Sequence, residues 1–202
     1  MKWAAILVFA SVLTAGEPQL FFSKVFPGST PDYVGITVEQ SGVTEYKEAI
    51  DDEHPLKLQL TAAEAAEMFA LADKLDHFKR PLESPLKVAK MGMKTFRFED
   101  GAGKTEAAFN FSEDLDARAL LDLFERISET GQNYWTLERA VKYDKLGVNQ
   151  ALLQFTISME RKRLVSAQVF LPLLDRVAKN DSYMNMARSR AANLAETIRA
   201  EK

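Results

Sequence analysis

The sequence contains no cysteine and only two histidines among its 202 residues. Without cysteine, disulfide bonds, thiol catalysis and thiolate metal sites are all excluded. A zinc site that used His54 or His77 would need carboxylates to complete its ligand shell. Stability must therefore come from an apolar core, and a 47% hydrophobic fraction is enough to build one.

Excess positive charge is also missing, because 26 basic residues stand against 29 acidic ones and the net charge is -3. Non-specific binding to nucleic acid requires a basic surface that displaces counterions. We therefore expect no nucleic-acid partner. Apolar residues are plentiful and periodic, which indicates a folded chain and argues against intrinsic disorder.

An apolar run from Trp3 to Ala15 follows Lys2 near the N-terminus and ends in small residues before Glu17. This is the layout of a secretory signal peptide. The run is short for a membrane anchor, since about 20 apolar residues are needed to cross the hydrocarbon core. We expect residues 1–16 to be cleaved near residue 16. The protein would then be exported, either periplasmic or extracellular, with no stable membrane span.

The first half of the mature chain predicts strands followed by a helix. Residues 17–31 contain three prolines and a glycine and are expected to be a leader segment whose phenylalanines pack onto the domain. Residues 33–39 alternate like a strand, Ser41-Gly42 predicts a turn, and the stretch VTEYKEA predicts a return strand. Residues 56–60 alternate again. Thr61, with Glu three positions later, predicts a capping box and a helix that extends to Leu75.

The next segment repeats this arrangement. Residues 94–100 alternate like a strand, and TEAAFNF follows them after a glycine-rich turn. Ser112 is the predicted N-cap of a second helix, which Gly131 would end. The stretch ITVEQSGVTE (36–45) resembles TFRFEDGAGKTE (95–106), which is consistent either with an internal duplication or with independently repeated hairpin chemistry.

The predicted fold class is α+β. Two strand-strand-helix units would form one antiparallel sheet with two helices on one face, spanning residues 32–130. Residues 134–202 carry helical patterns and predict a C-terminal helical bundle or helical hairpins. Within them, residues 151–164 fit both a strand and a helix, and the helical context favours a helix. Pro172 marks a first helical turn or a kink, and the last helix would begin after Asp181 or the following serine.

The stretch Gly101-Ala102-Gly103-Lys104-Thr105 resembles the end of a phosphate-binding loop, G-x-x-x-x-G-K-[ST]. Phe98 stands where the first glycine of that motif is required. The residues that follow alternate like a strand, so no helix N-terminus would face a phosphate. We interpret the stretch as the turn of a second hairpin, and we expect no nucleotide ligand.

Two acidic stretches could contribute to a metal site. Asp73 and His77 lie four residues apart near a predicted helix end, where an interaction of the histidine with the helix dipole is the favoured interpretation. The run 51–54 (DDEH) offers carboxylates for calcium, but its spacing does not match an EF-hand loop. A solvated loop is favoured there.

Other signs of chemistry are weak. The sequence has no G-x-S-x-G nucleophile elbow. The run 160–163 (ERKR), with Arg188 and Arg190, suggests either a basic patch for an acidic partner or exposed helix faces, and the second is favoured. We assign no catalytic residue, no cofactor-binding residue, no metal ligand and no cofactor, and we expect the protein not to be an enzyme.

Residues 33–128 resemble a family of small exported α+β domains, the emfourin-like metalloprotease inhibitors. The shared features are a hairpin leading to LQLTAAEAAEMFALADKLDHF, a second hairpin TFRFEDGAGKTEAAFNF, and the leucine-rich stretch DLDARALLDLFERI. The resemblance implies inhibition of an exported hydrolase. It transfers no inhibitory residue, and the helical region after residue 133 lies outside it.

Three functions remain open. The leading expectation is an exported, non-catalytic binding or accessory protein of the cell envelope or medium, with a protein partner yet to be identified. The second is an inhibitor of an exported hydrolase. The third is an enzyme whose site residues come together only in space, as the members of a Ser-His-acid triad can. A pocket of converging titratable groups would favour an enzyme, and an exposed apolar patch would favour a binding protein.

Overall fold

The computed structural model of the protein describes residues 17–200, so the predicted signal peptide lies outside the described residues. The described part contains six strands, β1 (Gln19–Val25), β2 (Tyr33–Glu39), β3 (Val43–Lys47), β4 (Leu56–Gln59), β5 (Met93–Asp100) and β6 (Gly103–Phe109). It also contains five α-helices, α1 (Ala62–Lys74), α2 (Leu115–Tyr143), α3 (Val148–Glu160), α4 (Leu171–Ala178) and α5 (Asn185–Ala200). The predicted α+β class with a helical C-terminal part is confirmed.

The strands form one antiparallel sheet in the order β4-β3-β2-β1-β5-β6. The expectation of a leader segment over residues 17–31 is wrong for its first half, because β1 lies inside the sheet and pairs with both β2 and β5. Leu20 and Phe22 of β1 are buried in the core. The sequence does not show the alternation of β1, because Phe21, between Leu20 and Phe22, is also apolar. Its ring packs on the opposite face of the sheet, beneath Arg97.

The two predicted units are both present and β1 separates them in the sheet. The first unit has three strands, β2 to β4, and leads to α1, whereas the second has the hairpin β5–β6 and leads to α2. Gly42 shows why glycine is needed in the first turn: its φ is +85°, and a Cβ there would lie 2.7 Å from the Leu60 carbonyl oxygen.

The helix starts follow local capping chemistry. The capping box of Thr61 and Glu64 is confirmed at the start of α1. At the start of α2, Asp114 is the N-cap, and the prediction of Ser112 is wrong. Ser112 is buried two residues earlier, and its hydroxyl accepts a hydrogen bond from the Asp114 backbone N–H at 3.3 Å. A carboxylate can accept from two N–H groups of the first turn at once, as Asp114 does here.

Helix α2 passes through Gly131, where the sequence predicted an end, and spans 29 residues in all, from Leu115 to Tyr143. Gly131 lies against the ring of the buried Tyr46, and a Cβ would overlap that ring. The glycine therefore serves close packing within the helix. Gly147, predicted to follow a helix end, precedes the first residue of α3.

Two apolar clusters lie along the chain. The first fills the space between the sheet and helices α1 and α2, with the stacked rings of Phe22 and Phe124 at 4.9 Å near its centre. The second lies among the end of α2 and helices α3 to α5. Tyr134 and Val169 pack against both clusters. Helix α3 confirms the helical assignment of its segment, and Pro172 lies in the first turn of α4. No helix within residues 17–200 has the length and apolarity to cross a membrane.

Candidate functional site

The glycine-rich stretch at 101–105 is the turn of the hairpin β5–β6. The Asp100 carboxylate accepts hydrogen bonds from the backbone N–H groups of Ala102 and Gly103, at 2.8 and 3.0 Å. These are the groups that would cradle a phosphate, and here they already have an acceptor. Lys104 lies in β6 with its ammonium 3.7 Å from the Glu106 carboxylate. The hairpin interpretation of this stretch is confirmed.

His77 and Asp73 do come together, with Nε2 of the histidine 2.7 Å from the aspartate Oδ1. Asp76, His77 and Phe78 all have positive φ, so the chain makes one left-handed turn after α1. The His77 carbonyl accepts a 2.5 Å hydrogen bond from the Thr105 hydroxyl, and its ring packs on Phe98. Within residues 17–200, no group of three metal-ligating side chains forms here or at the run 51–54. The contacts of His77 hold this turn against the hairpin β5–β6.

Three of the arginines considered for a basic patch make internal contacts. Arg163 binds two carboxylates of α2, those of Asp122 at 2.6 Å and Glu129 at 2.9 Å. Arg188 pairs with Asp181, and Arg190 donates to the Asn149 side chain. These contacts hold the C-terminal helices together. Arg161 and Lys162 of the same run are exposed.

A groove at the end of β1 is a concave, mainly apolar surface of the described chain. It has a volume of about 660 Å³. One wall is the end of β1 with the residues after it, and the other is the connection from α1 to β5. We call it the apolar groove, and its apolar lining consists of Val25, Phe26, Pro27, Leu86, Val88 and Met93.

Asn110, directly after β6, fixes the outer wall of the groove. Its side-chain oxygen accepts from the Met91 N–H at 2.8 Å, and its amide donates to the Ala89 carbonyl at 3.0 Å. Its own backbone N–H donates to the Glu83 carboxylate. One asparagine thereby positions residues 83–91, which carry no regular secondary structure.

Gly92 allows the two walls to approach each other. Its φ is +92°, a conformation that side chains disfavour, and an added Cβ would lie 2.9 Å from the Phe26 Cβ. The chain therefore turns sharply at this position and enters β5 directly beside β1. Val25 and Met93 are partners across these two strands and form the floor of the groove.

The groove is surrounded by exposed apolar side chains. Five of the thirteen exposed large hydrophobic residues in the described chain lie in this one area, namely Val25, Leu86, Val88, Met91 and Met93. Single exposed apolar residues are common on protein surfaces, but contiguous patches mark binding sites. Their clustering therefore identifies the groove as a candidate site.

Four lysines lie near the groove, two in its lining and two, Lys24 and Lys94, on the opposite face of β1 and β5 from Val25 and Met93. Lys87 and Lys90 line the groove. Lys24 approaches Gly92, with its Cε 3.3 Å from the position of an added Cβ, and Lys94 donates to the Gly92 carbonyl at 3.3 Å. Among residues 17–200, none of the four has a carboxylate oxygen within 4.0 Å. An acidic protein thus presents a local excess of positive charge here.

Lys94 is the buried member of the four and is 6% exposed. Burial, and then the neighbouring charge of Lys24, lower the pKa of its ammonium. The ammonium also donates to the Asn110 carbonyl at 2.8 Å. It therefore stabilises the backbone at the base of the groove and contributes to the positive potential felt there.

Comparison of the chain with models of protein families and with characterised proteins finds no match. The groove therefore has to be interpreted from its own chemistry. The groove could not be predicted from the sequence, because residues 79–92 show neither strand nor helix periodicity. The sequence pattern that indicates the groove is PLKVAKMGM (85–93), in which apolar residues are interleaved with lysines outside any predicted helix or strand.

Proposed function

We propose that this protein is an exported, non-catalytic binding or accessory protein, and that the apolar groove is its binding site. The observation that carries the proposal is the cluster of exposed apolar side chains around one concave surface. Exposing them to water is unfavourable, and a bound partner would remove that cost. Both walls of the groove are held by hydrogen bonds, because β1 pairs with β5 and Asn110 bonds to the backbone of Met91 and Ala89.

The chemistry of the groove favours binding over catalysis. Glu83 is the only carboxylate among its lining residues. That carboxylate already accepts from the Asn110 backbone N–H. The lining includes no serine, threonine or histidine. General acid-base or nucleophilic catalysis needs such groups in mutual contact at the reacting atoms.

The test is recovery of a partner from the envelope and medium of the exporting cell with wild-type protein and two variants. Val88→Asp places a charge on the wall of the groove, whereas Leu146→Asp places one on a still more exposed apolar residue far along the chain. We expect Val88→Asp to lose the partner and Leu146→Asp to retain it. Recovery of the same partner by both variants, or of none by the wild type, would contradict the proposal.

An inhibitor of an exported hydrolase is the second candidate. The exposed, non-helical stretch 85–91 favours it, since its side chains are all accessible to a partner's cleft. The resemblance to emfourin-like inhibitors suggests a metalloprotease as the target. The test is the hydrolysis of a peptide substrate by a secreted metalloprotease with and without the protein. Undiminished hydrolysis at a large excess of the protein would exclude that target.

A further inference from the structure

We propose that the occupant of the apolar groove is an extended segment of a partner protein in which carboxylates alternate with apolar side chains. This inference rests on the groove being the binding site, as proposed above, and adds the chemistry of the ligand. Three features of the groove support it: free backbone groups along one wall, unpaired lysines at the rim, and an apolar floor.

The outer wall offers backbone hydrogen bonds. Lys87, Val88 and Lys90 lie in a stretch without helix or strand, and within the described chain their N–H groups have no protein acceptor. An extended peptide can pair with such a stretch as strands pair at a sheet edge. The backbone contacts would supply affinity, and the side chains of the peptide, which alternate between its two faces, would supply specificity.

The charged and apolar side chains around the groove indicate which peptide composition would bind. Apolar side chains on one face of the extended segment would lie against Val25, Val88 and Met93 on the floor and wall. Carboxylates on the other face would meet Lys87 and Lys90 at the rim, which form no ion pair with any residue between 17 and 200. A basic segment would be repelled there by the charges of Lys87 and Lys90.

A membrane surface fits the groove less well than a peptide does. Lipid binding requires apolar side chains that project outward, whereas Phe26, Pro27 and Met93 line a concave surface. The extended peptide is therefore the occupant that we infer.

The experiment measures fluorescence anisotropy of a labelled short peptide of alternating acidic and apolar residues titrated with the protein of residues 17–202. A peptide with lysine in place of each acid serves as the second probe. Vesicles of phosphatidylglycerol and phosphatidylcholine, assayed by co-sedimentation, serve as the third. We expect saturable binding of the acidic peptide alone.

Matched variants connect this binding to the groove. The double variant Lys87→Glu/Lys90→Glu should raise the Kd for the acidic peptide about tenfold or more, and Val88→Asp should do the same. The control double variant Lys145→Glu/Lys179→Glu reverses two exposed lysines elsewhere and should leave the Kd unchanged. An unchanged circular-dichroism melting curve verifies that each variant is folded.

The outcomes separate this inference from the proposed function. Binding to vesicles in place of the acidic peptide, or equal binding of both peptides, would overturn the inferred occupant. So would an unchanged Kd in Lys87→Glu/Lys90→Glu. If no probe binds while Val88→Asp still loses the partner recovered from cells, the occupant is wrong and the groove remains the binding site. If Val88→Asp also has no effect on recovery, both proposals fail.

Discussion

At the scale of single residues, glycine and lysine have roles that their type does not reveal. Gly131 ends no helix and instead provides space for the ring of Tyr46 against the middle of α2. Gly92 brings the groove walls together through a positive φ. Lys94 is buried, yet its ammonium has two backbone acceptors, so its burial is compensated.

The packing of Gly131 leads to a stability prediction. Gly131→Ala should gain about 1 kcal/mol of helix propensity. Overlap of the new methyl group with the fully buried ring of Tyr46 should cost more, about 1–3 kcal/mol, because that ring has no space to move into. We therefore expect a net loss of stability, measured as a lower urea midpoint. Gly103→Ala, where nothing lies within 4 Å, is the control and should change little. A higher midpoint for Gly131→Ala would contradict the close packing.

At the scale of elements, α2 depends on the cap at its start. Asp114 accepts from the N–H groups of Asp116 and Ala117 and pairs with Arg80 at 2.5 Å. The hydrogen bond from Arg80, with the two backbone hydrogen bonds, lowers the pKa of the Asp114 carboxyl. The cap therefore ties the start of α2 to the chain that follows α1.

Asp114→Ala should lower the free energy of unfolding by about 1–2 kcal/mol at neutral pH, since the helix loses its cap. Ser112→Ala should cost less, because it removes a single long acceptor. Urea denaturation of both variants measures the difference. A larger loss for Ser112→Ala than for Asp114→Ala would indicate that Ser112 is the N-cap, as the sequence predicted.

The charge of Asp114 adds a pH dependence with a definite sign. Because the folded-state pKa is lowered, the ionised carboxylate stabilises the fold above its ordinary pKa of 3.8, and this contribution is lost as the pH falls through the folded-state value. Asp114→Asn keeps a capping oxygen but does not titrate. The stability difference between wild type and Asp114→Asn should therefore be present at neutral pH and diminish below pH 3.8. A difference that stays constant in acid would show that the ion pair with Arg80 contributes nothing.

At the scale of the whole molecule, the apolar cluster between the sheet and helices α1 and α2 meets the cluster of the C-terminal helices at Tyr134. Its ring packs edge-on against Trp135 and Phe170, at 5.3 and 5.7 Å, and it contacts both clusters. Since α2 runs without a break through both regions, the predicted boundary between residues 130 and 134 falls inside one helix.

Tyr134→Ala should destabilise both regions together by about 2 kcal/mol, because it removes aromatic contacts at their junction. Hydrogen-deuterium exchange should show faster exchange in β3 and in α5 alike. Tyr143→Ala, in the same helix but exposed, is the matched control and should change neither. Faster exchange in α5 alone would indicate that the two regions unfold independently.

Features that arise from neighbouring residues could be predicted from the sequence. Alternation located β2, β3 and β5, and the pair Thr61 and Glu64 located the start of α1, because these signals depend on a few consecutive side chains.

Features that depend on residues distant in the chain could be found only in the tertiary structure. It placed β1 between β2 and β5, since β5 begins 68 residues after the end of β1, at Met93 against Val25. It also carried α2 through Gly131 because Tyr46, from another element, occupies the space that a side chain would need. The apolar groove also depends on distant partners, since its walls come from separate parts of the chain. Asn110 and Gly92 bring these walls together.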